Sequence, residues 1–359
     1  MADAAPVNLH EFEPLARARV PAMAWEYLAG GSGDERTLGW NRARLDAIRL
    51  APRVLRDVGR VDTRVELPGA ALPFPIVLAP TGFQRLFHPE GERATARGAG
   101  EAGALYTLST AATVALEDVA ATTSGPLWFQ LYVQRDRGFT RELVQRAGAA
   151  GCRAIVLTVD TPVLGARDRE RRAGLELPPG LELANLRALR ARHAAAPTFG
   201  HAADNPFLDP TLTWDVLDWL RGETPLPVIV KGVLRPDDAL RAVERGAAAV
   251  AVSNHGGRNL DTVPAAVDAL PRVAAAVAGR VPLLVDGGIR RGVDVIKALA
   301  LGARAVMIGR PYLWGLAAFG AEGVTRVVRM LAGELEMAMA QCGAASLAEI
   351  TPDLIWRDA

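Results

Sequence analysis

From about residue 75 to residue 312 the chain repeats one rhythm. A short run of Val, Ile, Leu and Ala ends in polar or glycine-rich residues, and an Ala-rich stretch with helical spacing follows. The runs are FPIVLAPTG, ALYTLST, LWFQLYV, AIVLTVD, PVIVKGV, AVAVSNHGG, VPLLVDGG and AVMIGRP. None alternates apolar with polar, which predicts strands buried on both faces. The segments between them, such as RELVQRAGAAG and PDDALRAVERGAAA, place apolar residues on one helical face, and several close on a glycine. Eight buried strands alternating with helices predict an α/β fold of the (β/α)8 TIM-barrel type.

Two additions frame the barrel. An N-terminal helical segment is expected over 8–70, and a long insertion without clear period, after the fourth strand, over 168–212. With the barrel at about 75–335, the expectation is a single domain over 1–359. The tail GVTRVVRMLAGELEMAMAQCGA predicts a further amphipathic helix.

Composition narrows the class. Half the residues are hydrophobic, enough for a large core, and 41 Lys and Arg balance 40 Asp and Glu. That balance gives no sign of a nucleic-acid partner. The two cysteines, Cys152 and Cys342, have neither disulfide-framework nor metal-site spacing, and no metal is expected. No secretory signal, membrane-spanning run or peroxisomal C-terminus is visible, so a cytoplasmic protein is expected.

Barrel enzymes carry their chemistry at the C-terminal ends of the strands. Those ends hold Pro80, Thr81 and Gly82; Ser109; Gln130 and Tyr132; Thr158 and Asp160; Lys231; Ser253 and His255; Asp286, Gly287 and Gly288; and Gly309 and Arg310. DGGIRRG and GRP, at the last two strands, set glycine N–H groups near helix starts beside Arg290 and Arg310, a pattern suited to phosphate. Lys231 ends an apolar run and reads either as a Schiff-base nucleophile or as a fixed positive charge. His255 lies on glycines that permit close ligand approach, and Asp160 could orient its ring, as a general base needs. Arg258 and Arg167 suit a carboxylate or phosphate, although the run ARDRERR around Arg167 also reads as an exposed charged stretch.

These motifs resemble those of the FMN-dependent α-hydroxy-acid oxidases and dehydrogenases, the relatives of glycolate oxidase, lactate oxidase and mandelate dehydrogenase. SNHGGRNLD is the most specific, and APTGFQRLFHPEGE, FQLYVQRD, LTVDTPVLGARDR, PVIVKGV, LLVDGGIRRGVDVIKALALGARAV and IGRP match in order. The resemblance implies FMN at the barrel mouth. Pro80, Thr81, Gly82, Ser109, Gln130, Tyr132 and Thr158 would line its ring, with Lys231 near the N1–O2 edge and Ser253 also in contact with the cofactor. Asp286, Gly287, Gly288, Ile289, Arg290, Gly309 and Arg310 would hold ribityl chain and phosphate. His255 would be the base, supported by Asp160. Arg258 and Arg167 would clamp the substrate carboxylate, with Tyr27 and Tyr132 hydrogen-bonding the acid.

The implied activity is oxidation of an (S)-2-hydroxy acid to the 2-oxo acid with O2 returning H2O2. Hydride and carbanion routes are both open. A dehydrogenase passing electrons to a quinone or protein, or a non-catalytic FMN- or phosphate-binding barrel, is the alternative. The family usually forms tetramers or octamers, so a homo-oligomer is expected. The chain departs from the family at Ala111, where plant-type glycolate oxidases carry tryptophan, at Gly82 in place of alanine, and at Asn259 in place of glutamine.

Overall fold

The structure is a computed structural model, and it describes residues 5–192 and 208–357. Eight parallel strands close into a barrel: β3 (Ile76–Leu78), β4 (Leu105–Ser109), β5 (Leu127–Leu131), β6 (Ile155–Thr158), β7 (Val228–Val233), β8 (Ala249–Val252), β9 (Leu283–Val285) and β10 (Ala305–Ile308). They correspond one for one to the eight apolar runs. Their side chains are buried on both faces because one face fills the barrel and the other meets the helices. Val77, Leu105, Trp128, Val156, Ile229, Ala251, Leu284 and Met307 belong to the interior cluster. Trp128 is the largest side chain of that cluster.

The segment expected to be helical to about residue 70 is helical only to Ala47. It comprises α1 (Phe12–Arg19), α2 (Ala22–Ala29) and α3 (Arg36–Ala47). A hairpin follows, β1 (Val65–Leu67) with β2 (Ala70–Leu72), which turns through Pro68 and Gly69. Proline and a glycine at φ 73° favour this turn over helix. Val65, Leu67 and Leu72 join the interior cluster, and Pro68 O accepts from Trp128 Nε1 at 3.1 Å, so the hairpin plugs the bottom of the barrel. Three-residue strands are too short for alternation to show in a sequence.

The barrel helices follow in order: α4 (Glu92–Ala102), α5 (Leu116–Ala120) and α6 (Arg137–Ala149). The insertion is not without structure where it is described. It forms α7 (Asp168–Arg172), a 3-10 turn over Ala184–Leu186 and α8 (Arg187–Arg192). Helices of five and six residues leave no readable period. Of the expected insertion, 193–207 lies outside the described residues. Next come α9 (Asp215–Glu223), α10 (Pro236–Glu244), α11 (Ala266–Val277) and α12 (Gly292–Ala300). The last helix, α13 (Arg310–Cys342), carries the barrel past the expected end at 335 and breaks at Phe319 and Gly320. The Phe319 ring meets Phe12 of α1 edge-on at 6.0 Å, which fastens the N-terminal helices to the barrel wall. Among the described residues no helix is long and apolar enough to cross a membrane.

Candidate active site

A cavity of about 770 Å³ opens at the C-terminal mouth of the barrel. Its walls include Pro80, Thr81, Gly82, Ser109, Gln130, Tyr132, Thr158, Lys231, His255, Asp286, Gly287, Gly288, Ile289, Arg290, Gly309 and Arg310, with Tyr27, Arg167 and Arg258 on the side of α2 and α7. Ser253 lies just beneath and bonds three of them, Lys231, Asp286 and His255. Every residue singled out from the sequence therefore meets at one place, except that Asp160 acts from behind His255.

A belt of buried polar groups runs around the mouth. Ser109 Oγ donates to Gln130 Oε1 at 3.1 Å, and Gln130 Nε2 donates to Thr158 Oγ1 at 3.1 Å. Across the barrel, Lys231 Nζ donates to Ser253 Oγ at 2.9 Å and pairs with Asp286 Oδ2 at 2.9 Å. Burial works against the ammonium, but Asp286 and then Asp160 outweigh it and hold Lys231 above its ordinary range. A lysine kept charged is a poor Schiff-base nucleophile, so Lys231 is the fixed positive charge of the two readings.

The strand β7 is bulged between Lys231 and Val233. At the bulge Gly232 has φ 105°, and a Cβ there would lie 2.5 Å from Asp160 Cγ. Glycine is thus what lets the Asp160 carboxylate settle against the β7 backbone. His255, Gly256 and Gly257 lie successively at φ 58°, 63° and 75°. Left-handed backbone costs a non-glycine residue about 1 kcal/mol. The turn is held by Asn254, which exchanges side-chain hydrogen bonds with Asn41 of α3 at 2.8 and 2.9 Å and accepts from Gly257 N at 3.1 Å. His255 N donates to Ser253 Oγ at 3.0 Å.

The strained turn aims the imidazole. Nδ1 lies 2.9 Å from Asp160 Oδ1, and Nε2 lies 3.4 Å from the Tyr132 hydroxyl. With Nδ1–H on the carboxylate, Nε2 keeps its lone pair toward the cavity. Burial lowers the His255 pKa, and Asp160 opposes but does not cancel this. His255 and then Lys231 hold Asp160 below the usual carboxylate range despite its burial. The resting pair is a neutral imidazole on an ionised carboxylate. Asn259, the departure next to Arg258, binds this pair's loop: its Nδ2 donates to Asp160 O at 2.9 Å and to Thr161 Oγ1 at 2.8 Å.

Asp160→Asn removes the anion that favours imidazolium, so His255 should titrate lower still. The acid limb of kcat/KM should shift to lower pH while its plateau falls by about 10²- to 10⁴-fold. A pH–rate profile with the acid limb moved upward would contradict the assigned pair.

Two half-buried arginines grip the end of α2. Arg310 donates to Leu28 O at 3.0 Å, Gly30 O at 2.8 Å and Gly256 O at 3.0 Å. Arg258 donates to Tyr27 O at 2.6 Å and Gly30 O at 3.0 Å, and its guanidinium lies 4.7 Å from the Tyr27 ring centre. Carbonyls at a helix C-terminus lack intrahelical donors and carry partial negative charge, so cations belong there. Tyr27 also packs edge-on against Phe83 at 5.3 Å. The sequence reading missed the partner of these cations. Glu170 of α7 pairs through Oε1 with Arg258 Nη2 at 2.6 Å and through Oε2 with Arg167 Nη1 at 3.5 Å. It is buried, although the run ARDRERR reads as exposed. Arg169 points the other way, to Glu26 and Glu35.

The mouth fits a phosphorylated, planar cofactor. Among the described residues, Arg290 and Arg310 have no carboxylate within ion-pair distance. Burial, then repulsion from Arg258 and Arg290, pushes Arg310 down to about 9. Burial pushes Arg290 down to about 10, while its guanidinium stacks 4.6 Å from the Trp314 ring. Two under-compensated cations beside the Gly287–Gly288 turn are what a phosphate dianion requires. Asp286 Oδ1 is buried without a hydrogen-bond partner, an acceptor left over for a hydroxyl.

Fold and site together define a (β/α)8 barrel enzyme that holds a phosphorylated cofactor under a basic histidine and an arginine-lined acid seat. The family pattern described as FMN-dependent dehydrogenase matches residues 16–357, and the chain belongs to that family. FMN is its cofactor. The chain is 51% identical to an L-lactate oxidase of Nostoc sp., over 96% of each chain. It is 48% identical to a peroxisomal (S)-2-hydroxy-acid oxidase of Oryza sativa subsp. japonica, over 98% of this chain and 96% of that one. Among solved structures it is similar to mandelate oxidase with benzoyl-formic acid, with a TM-score of 0.89 and 42% identity over 98% of both chains.

Proposed function

We propose that the protein oxidises an (S)-2-hydroxy acid to the 2-oxo acid, with O2 as the final acceptor and H2O2 as the second product. The observation that carries this is the juxtaposition of His255 Nε2, backed by Asp160, with a seat of two arginines on the same cavity wall. The names of the relatives, lactate, (S)-2-hydroxy-acid and mandelate oxidases, agree with it.

Bound FMN supplies the two-electron acceptor. Lys231, Ser253, Gln130 and Thr158 would hold its ring edge, and Arg290 and Arg310 its phosphate. Arg258 and Arg167 bind the acid's carboxylate and so fix the carbon that reacts. Tyr27 and Tyr132, whose phenols are kept protonated by burial, orient the acid by hydrogen bonds. His255 Nε2 takes the substrate proton, and Asp160 stabilises the imidazolium that results.

Beside the seat the cavity carries an apolar set of walls, Phe83, Ala111, Leu164, Leu175, Leu183, Leu186 and Leu208. It favours acids with lactate-sized or larger apolar side chains over glycolate. Ala111→Trp should therefore raise KM for a long aliphatic or aromatic 2-hydroxy acid by about tenfold or more, with a smaller change for glycolate. Anaerobic flavin bleaching across glycolate, lactate, longer hydroxy acids and mandelate tests the reading. Bleaching by several of these, with one H2O2 formed per O2 consumed in air, is the expected result. A chain that takes up no FMN, or whose flavin no 2-hydroxy acid bleaches, overturns it. Bleaching followed by reoxidation too slow for turnover would instead make it a dehydrogenase.

A further inference from the structure

The charges inside the mouth sort into three groups. Lys231 is matched by Asp286, and His255 leans on Asp160. Arg290 and Arg310 have no carboxylate partner among the described residues, and their two charges suit a phosphate. The third group is the acid seat, where Arg258 and Arg167 share the single carboxylate of Glu170. Two cations against one anion leave one net positive charge. Glu170 is not a surface group that solvent screens: its side chain is 9% exposed, against 14% for Arg258 and 15% for Arg167. At such burial a unit charge a few ångströms away is worth several times what it is in water. Among the described residues the wall beside the seat is largely leucine, with the exposed Glu176 and, at the rim, Arg171, which is 75% exposed and beside Asp168 at 3.9 Å. Among the described residues, no further cation beside the seat is left for a second carboxylate.

We propose that Glu170 is a positioning residue that sets specificity: it cancels one of the two seat charges, so the seat accepts one carboxylate and turns away 2-hydroxy acids that carry two. The substrates are monocarboxylic, with an apolar side chain directed at the leucine wall. Unlike a steric filter, this selects by charge count, because a second carboxylate would be desolvated beside Glu170 without a cation of its own. The inference rests on the oxidase reading for the identity of the acid, but the charge argument stands on the three side chains alone.

The test is calorimetric titration of the FMN-loaded enzyme with propionate and with malonate, at a pH where every carboxylate is ionised. The pair has the same chain length and differs by one carboxylate. The unaltered enzyme should bind malonate no more tightly than propionate; malonate tighter by tenfold or more would overturn the proposal without any variant. Glu170→Gln keeps the size and removes the charge, and should shift the malonate-to-propionate affinity ratio by about tenfold or more toward malonate. Glu170→Asp should keep the original ratio. If Glu170→Gln weakens both acids by the same factor, Glu170 only props Arg258 and the proposal fails. In turnover the same variant should raise kcat/KM for 2-hydroxysuccinate relative to lactate, mostly through KM. An enzyme whose flavin is bleached by lactate but whose ratio ignores Glu170 leaves the oxidase reading intact and sinks only this inference.

Discussion

His255→Ala should slow anaerobic flavin bleaching by about 10³- to 10⁴-fold, with FMN content and melting temperature close to those of the unaltered enzyme. Among the described residues, the imidazole is the only side chain lining the mouth with a neutral nitrogen lone pair. Tyr132 is held protonated by burial, and Lys231 is held charged by Asp286 and Asp160. Neither can take over the proton. Alanine at φ 58° is disfavoured by about as much as histidine, so the turn should persist while Asn254 and Asn41 hold it. Stopped-flow absorbance under nitrogen reads the rate directly, and a loss below tenfold would remove His255 from the role of base.

Arg258→Met should lower kcat/KM by about 10³-fold and, separately, destabilise the holoenzyme by about 3–5 kcal/mol. Two losses combine. The acid loses its main cation, and Glu170 loses the partner that tolerates its burial, while Tyr27 O loses a donor. Arg258→Lys should recover only part of either, since an ammonium cannot span Glu170 and the Tyr27 and Gly30 carbonyls as the two guanidinium nitrogens do. Thermal unfolding at fixed FMN separates the components. A variant of unchanged stability would mean that Glu170 is compensated from elsewhere.

Much of the site was legible because barrel topology converts chain order into position. Once eight apolar runs are counted, residues as distant as Thr81 and Arg310 must meet at one mouth, and they do. The pairing of His255 with Asp160 followed from the same reasoning. What stayed hidden depends on local geometry. Nothing in ARDRERR distinguishes Glu170, which turns inward, from Arg171, which is exposed. α7 has only five residues, and its inward face is decided by Arg258 and Arg167, not by hydrophobic spacing. The hairpin of β1 and β2 was hidden by its brevity. Asn259, a departure of one methylene from the family's glutamine, proved to bind the Asp160 loop through two hydrogen bonds, which no sequence pattern displays.

The capping of α2 has a thermodynamic consequence. Its last carbonyls accept from both Arg310, on the phosphate side, and Arg258, on the acid side, and Gly30 O is shared by the two. Anything that steadies one guanidinium steadies the helix end on which the other depends. Cofactor affinity and acid affinity are then linked quantities, and by reciprocity a bound acid must slow the loss of FMN as much as FMN tightens the acid. The short helix outside the barrel is the shared support through which each ligand senses the other.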